Sequence, residues 1–166
     1  MTKQSTMTGA LAIAALILAA GSARASAFDR AMEPILAEYL TIHHALAADE
    51  TEGVRAAGRK IEKLAKQLGP ELTTGERAEH YQNVPADIRA ACEKLDGAKD
   101  IDAMRAAFAE LSKPISIWVT MAEPKGMSVM YCPMKKAGWV QRGTEVANPY
   151  YGAEMLGCGE KVGGSD

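Results

Sequence analysis

The sequence predicts a mainly α protein: an antiparallel bundle of about four helices, with an irregular C-terminal tail packed on it. Before Ala122, helix-forming Ala, Leu, Lys and Glu are abundant and apolar residues recur at three- and four-residue spacing. After Ala122 the composition turns to Gly, Pro, Tyr and Trp, and the helical spacing stops. The 166 residues suffice for one small domain with a modest core.

The first residues have the features of an export signal. Lys3 gives a positively charged start, an apolar run extends from Ala10 to Ala20, and small residues follow that allow cleavage after Ala25 or Ala27. The apolar run is too short for a stable membrane span. The sequence therefore predicts a signal peptide over residues 1–27 that is removed, a periplasmic location, and no membrane span in the mature chain.

Four apolar stripes define the helical bundle, which is assigned to residues 28–122. In order, the stripes run over Asp29 to Ala48, Thr51 to Leu68, Ala86 to Gly97, and Ile101 to Val119. Pro114 predicts a kink or a new cap in the last stripe, because proline removes one backbone hydrogen bond. Thr73 or Thr74 is a candidate cap for a further helix that ends near Gln82. The short links predict antiparallel neighbours.

Residues 123–166 form a tail that is rich in Cys and Met and is expected to belong to the same domain. It has room for short β-strands, for example from Ser128 to Tyr131. The two pairs Cys132/Met134 and Met155/Cys158 bracket a turn-rich loop, within which Asn148-Pro149 favours a chain reversal. The third cysteine, Cys92, falls on an apolar helical stripe and is expected in the core.

The four sulfurs of the tail support two interpretations. Thiolate and thioether sulfur select soft metals, Cu(I) above all. The predicted metal ligands are Cys132, Met134, Met155 and Cys158, with Met130, His43 and His44 as further candidates. In an exported protein the same two cysteines could instead form a disulfide, which would contribute about 3 kcal/mol by constraining the unfolded chain. The two states exclude each other at a given moment, and both interpretations stay open.

Several function classes receive no support from the residues. The chain has no CxxC, no HExxH, no Gly-rich phosphate loop and no nucleophile elbow, so we predict that it is not an enzyme. Four Cys or His ligands at zinc-finger spacing are missing. The formal net charge is -2, and removal of the signal peptide makes it more negative. Nothing here favours a nucleic-acid partner.

Three groups of residues resemble a bacterial family of uncharacterised domains known as DUF3347. The opening group is Tyr39-Leu40-Thr41-Ile42 with Ala45 to Asp49, and the middle group is Phe108, Leu111 and Ser112. The tail group is Tyr131-Cys132-Pro133-Met134, Gly138-Trp139, Asn148-Pro149-Tyr150-Tyr151-Gly152, Met155 and Cys158-Gly159-Glu160. The resemblance implies an exported or periplasmic domain, alone or fused to adaptor subunits of heavy-metal efflux pumps, with a copper-type role.

Residues and resemblance together predict a periplasmic copper(I)-binding protein that acts as a buffer or chaperone for heavy-metal efflux. Its expected partner is the periplasmic adaptor of a metal efflux system. The alternative is a non-metal interaction module with a structural disulfide between Cys132 and Cys158. His43 and His44 stand where the resemblance implies non-ligating polar residues, so a role for them is not carried over from the family.

Overall fold

A computed structural model describes residues 26–72 and 77–165 of the chain. The predicted signal peptide, apart from Ser26 and Ala27, and the predicted helix cap at Thr73 or Thr74 lie outside the described residues. No helix in the described part is long and apolar enough to cross a membrane.

The predicted fold class is confirmed. The elements are α1 (Ala27–Ala47), α2 (Val54–Ala65), α3 (Ala78–Tyr81), α4 (Val84–Gly97), α5 (Ile101–Ala122), β1 (Met127–Cys132), β2 (Ala137–Arg142), a 3₁₀ turn (Gly152–Glu154) and β3 (Glu160–Gly164). Four of the helices are long, and α3 is a single turn. The strands form an antiparallel sheet in the order β2-β1-β3. The strand expected from Ser128 to Tyr131 lies within β1, whereas β2 and β3 were not predicted.

Helices α1 and α5 are antiparallel, and polar contacts join them at both ends. The indole Nε1 of Trp118, near the end of α5, donates to Asp29 Oδ1 at the start of α1 over 3.0 Å. At the other end, Arg105 Nη2 donates to the carbonyl of Leu46 over 3.1 Å. Both contacts are buried. They fix the register of the two helices that carry the rest of the structure.

The second antiparallel pair is formed by α2 and α4. Arg59 of α2 donates to Asp96 near the end of α4 over 2.7 Å. At the adjacent position in each helix, the Leu95 side chain packs directly on the backbone of Gly58, because a Cβ on Gly58 would lie 2.8 Å from Leu95 Cδ2. Gly58 therefore allows a helix contact that a larger residue would force apart.

Ser26 begins α1 with a capping box. Its hydroxyl accepts a hydrogen bond from the Asp29 N–H, and its own N–H donates to Asp29 Oδ2, both over 3.0 Å. Burial raises the pKa of Asp29, but the hydrogen bonds from Ser26 and Trp118 outweigh it and hold that pKa below its usual value. A mature chain that begins at Ser26 keeps this cap, whereas one that begins at Phe28 lacks it.

A buried hydroxyl network joins the sheet to the bundle. The Tyr39 hydroxyl of α1 accepts the Val140 N–H of β2 over 3.0 Å and contacts Ser112 Oγ of α5 over 2.7 Å. Ser112 Oγ donates to the Phe108 carbonyl over 2.8 Å, so the Tyr39 hydroxyl is the donor toward Ser112. One hydroxyl of α1 thus bonds to groups of two other elements, β2 and α5.

Tyr39→Phe should lower the free energy of unfolding by about 1.5 kcal/mol, because it leaves the buried Val140 N–H without an acceptor. Chemical denaturation measures this change. Ser112→Ala is the matched control, since it removes a neighbouring hydroxyl while Val140 keeps its partner. A free energy of unfolding that Tyr39→Phe leaves unchanged would contradict the importance of the Val140 contact.

Candidate metal centre

The structure brings Cys132 and Cys158 together. Cys132 is the last residue of β1, and Cys158 lies just before β3, which pairs with β1 at Tyr131 and Glu160. This pairing places the two Sγ atoms 3.8 Å apart, beyond the bonded separation of about 2.05 Å. Both cysteines, like Cys92, are free thiols.

The turn after β1 directs N–H groups at the Cys132 sulfur. The Lys135 N–H donates to Cys132 Sγ over 3.4 Å. Burial raises the pKa of Cys132, but hydrogen bonds from Lys135, Asn148, Cys158 and Met134 outweigh it and hold that pKa below its usual value. The pKa of Cys158 is raised by partial burial and by the Cys132 sulfur beside it. The N–H groups that face its sulfur therefore favour the thiolate form of Cys132.

The candidate methionines differ in their exposure to solvent. Met134 is 65% exposed in the turn between β1 and β2. Met155 is half-buried, and its carbonyl accepts the Cys158 N–H over 2.9 Å. Met130 is fully buried on β1, two residues before Cys132 and so on the same face of the strand. Long, unbranched thioether side chains can adapt to a nearby site.

The two histidines have different surroundings. His43 is 2% exposed, and its Nε2 lies 2.8 Å from the Ala147 carbonyl. Since a carbonyl only accepts, Nε2 carries the proton in the neutral ring. Nδ1 is buried without a hydrogen-bond partner among the described residues. His44 is exposed, with its ring centroid 5.4 Å from that of His43. In the described part of the chain, neither ring hydrogen-bonds to a cysteine sulfur.

Cys92 lies in the core, as its place on an apolar stripe predicted. It is 2% exposed within α4. Burial, with a smaller effect from Glu62, raises its pKa to about 12. Its thiol is therefore protonated at neutral pH and poorly placed to react with reagents in solution.

Asn148 holds the backbone of Cys158, which sequence reasoning missed. Its side chain is fully buried, and Nδ2 donates to the Cys158 carbonyl over 2.5 Å. Its Oδ1 accepts the Tyr150 N–H over 2.8 Å, and its own N–H donates to the Leu156 carbonyl over 2.8 Å. One amide side chain therefore fixes both sides of the loop that presents Cys158.

Arg105 anchors this loop to the bundle. It is 8% exposed, and its Nε donates to the Pro149 carbonyl over 3.0 Å while Nη2 reaches Leu46 and Asp49 Oδ1, the latter over 2.5 Å. The other Asp49 oxygen accepts the Ala153 N–H over 2.9 Å. The hydrogen bonds from Ala153 and Arg105 hold the pKa of Asp49 below its usual value. The guanidinium thus joins α1, α5 and the loop.

A signal for Arg105 was present in the sequence. It lies four residues after Ile101 and three before Phe108, so it is a charged residue on an apolar stripe. Gly152 belongs to the same contact: its φ is +55°, and a Cβ there would lie 2.1 Å from Asp49 Oδ1. Only glycine fits that position.

Trp139 packs beside the cysteine pair. Its side chain is fully buried, and a Cβ on Gly159 would lie 2.5 Å from the edge of the indole ring. The Tyr150 ring meets it edge-on, with centroids 5.8 Å apart. Because Gly159 follows Cys158 directly, the fluorescence of Trp139 should respond to changes at the cysteines.

This arrangement suits a soft metal ion. Two sulfurs 3.8 Å apart can both bind one ion at about 2.3 Å, the usual metal–thiolate distance. Within residues 26–72 and 77–165, no three His, Cys, Asp or Glu side chains are grouped to hold a metal. The donors brought together are two thiols, with the N–H of Lys135 directed at one of them, and the methionines Met134 and Met155 belong to the same two chain segments. Such donors are chemically soft.

Comparison with known proteins places the chain in a family. Residues 35–125 match DUF3347, which is described as a protein of unknown function. No similar protein was found among curated proteins or solved structures. The match extends from the middle of α1 to just beyond α5, so it covers the scaffold that includes Tyr39, Asp49 and Arg105 and ends before Cys132. Because more than half of the 166 residues match, the chain belongs to the DUF3347 family.

Proposed function

We propose that the protein binds Cu(I) through Cys132 and Cys158 in the periplasm, as a buffer or chaperone for heavy-metal efflux. The observation that carries the proposal is the pair of unbonded sulfurs 3.8 Å apart, which two separate segments of the tail hold together. Polar contacts from Asn148 and Arg105 position the loop that carries the second cysteine. Cu(I) is the ion that thiolates and thioethers select most strongly.

The hydrogen bonds to Cys132 support metal binding. A thiol must lose its proton before it binds a metal. The N–H of Lys135 and its neighbours stabilise the Cys132 thiolate, so that part of the cost of deprotonation is met before the ion arrives. Cys158 still has to lose its proton, and the affinity should therefore fall as the pH falls.

The exposure of two of the proposed ligands to solvent supports transfer of the ion to another protein. Cys158 is half-buried, and Met134 is 65% exposed beside Cys132. Met134 and Met155 are the proposed thioether ligands that complete the soft donor set. Ligands that solvent reaches can be replaced one at a time by the ligands of a partner. The proposed recipient is the periplasmic adaptor of a metal efflux system.

Anaerobic titration of the reduced protein with Cu(I), against a chromophoric Cu(I) chelator, tests the proposal. The Cys132→Ser/Cys158→Ser variant should bind at least about 100-fold more weakly, a larger loss than removal of an outer-shell partner causes. Cys92→Ser is the matched control and should bind like the wild type, because Cys92 lies in the core. Met134→Leu and Met155→Leu should weaken binding by smaller factors. Unchanged affinity in the double variant would exclude the proposed site.

The alternative is a non-metal interaction module in which Cys132 and Cys158 form a structural disulfide. A thiol count on unfolded protein, purified from the periplasm without reductant, separates the two. A permanent disulfide leaves one thiol, that of Cys92, and the pair then stays closed at mild reducing potentials. Three thiols would exclude a permanent disulfide.

A further inference from the structure

The two cysteines differ sharply in how far solvent reaches them. Cys132 is fully buried at the end of β1, whereas Cys158 is half-buried in the loop before β3. Its neighbours Leu156 and Gly157 are exposed, and the space around the Gly157 Cα is open. A reagent from solution can therefore reach the Cys158 sulfur first.

We propose that Cys158 is the site of attack on external disulfides and that Cys132 resolves the resulting mixed disulfide. Cys132 is the thiol placed to resolve the mixed disulfide, because its sulfur lies 3.8 Å from Cys158 Sγ. Cys92 is buried in α4. Closing the pair requires an approach of about 1.8 Å, down to the bonded separation. Gly157 and Gly159 flank Cys158 and can absorb such a shift.

The chemistry balances with a low-molecular-weight disulfide as the oxidant. The Cys158 sulfur attacks one sulfur of the reagent, a mixed disulfide forms, and the first thiolate leaves and takes up the proton that Cys158 gave up. Cys132 then attacks Cys158 Sγ, and the second thiolate leaves with the proton from Cys132. The two cysteines are oxidised to one disulfide, and the reagent is reduced to two thiols.

The reaction has a consequence for metal binding, and this part rests on the proposed function. A disulfide retains neither of the two thiolates, so the closed pair cannot hold Cu(I) as the open pair does. External disulfides would then release the ion, and a thiol reductant would restore the site. The class of partner is a disulfide-bearing molecule of an oxidising compartment.

The test uses reduced, metal-free protein in the Cys92→Ser background with oxidised glutathione, acid quenching and mass spectrometry. The Cys92→Ser protein should lose the mass of two hydrogen atoms and carry no bound glutathione. With Cys132→Ser, one glutathione should accumulate on Cys158. With Cys158→Ser, modification of the folded protein should be slower by at least tenfold and become fast in denaturant. Thermal melts confirm that each variant is folded.

Two results would overturn the proposal: equally fast modification of both single variants, or failure of the Cys92→Ser protein to close. The outcome is independent of metal binding, because no metal is present. If closure proceeds but the reduced protein binds no Cu(I), the proposed function fails and the disulfide chemistry stands. If both hold, the closed form should lose Cu(I) affinity by the same factor as Cys132→Ser/Cys158→Ser, and reductant should restore it.

Discussion

Arg105→Met should lower the free energy of unfolding by about 3 kcal/mol, because two buried carbonyls lose the hydrogen bonds that the guanidinium donates. These are the carbonyls of Leu46 and Pro149, which lie on α1 and on the loop before Cys158. Methionine keeps an apolar stem in the space of the arginine, so the loss reports on the hydrogen bonds rather than on a cavity. Chemical denaturation at neutral pH gives the value.

The same substitution should also disturb the cysteine pair. Pro149 follows Asn148, whose amide fixes the Cys158 carbonyl. Once the loop has lost its anchor to α5, Cys158 should react faster with a thiol reagent, and the Trp139 emission should shift. Arg59→Met is the matched control: Arg59 is exposed and pairs with Asp96 at the surface, so its loss should cost less than about 1 kcal/mol. Equal effects of the two variants would exclude an anchoring role for Arg105.

The helices could be predicted because their apolar residues repeat at a period that only a helix places on one face. The first and last residues of the helices were harder to predict. The first helix was expected from Asp29 to Ala48 and runs from Ala27 to Ala47. The new cap considered at Pro114 is wrong, since α5 continues through that residue to Ala122. Burial of Ile115 and Trp118 on the same helix stabilises it against the loss of one backbone hydrogen bond.

The sheet was harder to predict because strands depend on partners distant in the chain. The final strand, β3, has the sequence Glu160 to Gly164, which contains two glycines and no apolar alternation. It forms because β1 offers an edge. The same dependence hid part of the site. The pairing of Cys132 with Cys158 could be predicted from their chemistry, whereas the contacts of Asn148 and Arg105 become visible only when separate elements meet.

The free energy of unfolding should decrease by about 3 kcal/mol between pH 6.5 and pH 4 through His43 alone. Burial, opposed in part by the hydrogen bond to Ala147 and aided by the nearby His44, lowers the pKa of His43 from 6.5 to about 4. The unfolded chain therefore takes up a proton as the pH falls below about 6.5, while the folded chain does so only near 4. Stability is fully present above this window and falls through it, by about 1.4 kcal/mol per pH unit. The physical reason is that a protonated His43 would place a charged Nδ1–H, without an acceptor, in the core.

His43→Gln isolates this contribution, because glutamine offers an N–H toward Ala147 but does not titrate. Denaturation curves measured at several pH values should show a shallower loss of stability for His43→Gln than for the wild type between pH 6.5 and 4. Lowered carboxyl pKa values at Asp29 and Asp49 contribute to acid sensitivity mainly below about pH 4, so they fall outside the window. His44→Gln is the matched control for loss of an imidazole and should keep most of the pH dependence, since the buried, unpartnered nitrogen is that of His43. If the free energy of unfolding of His43→Gln depends on pH as strongly as that of the wild type, another group causes the acid sensitivity.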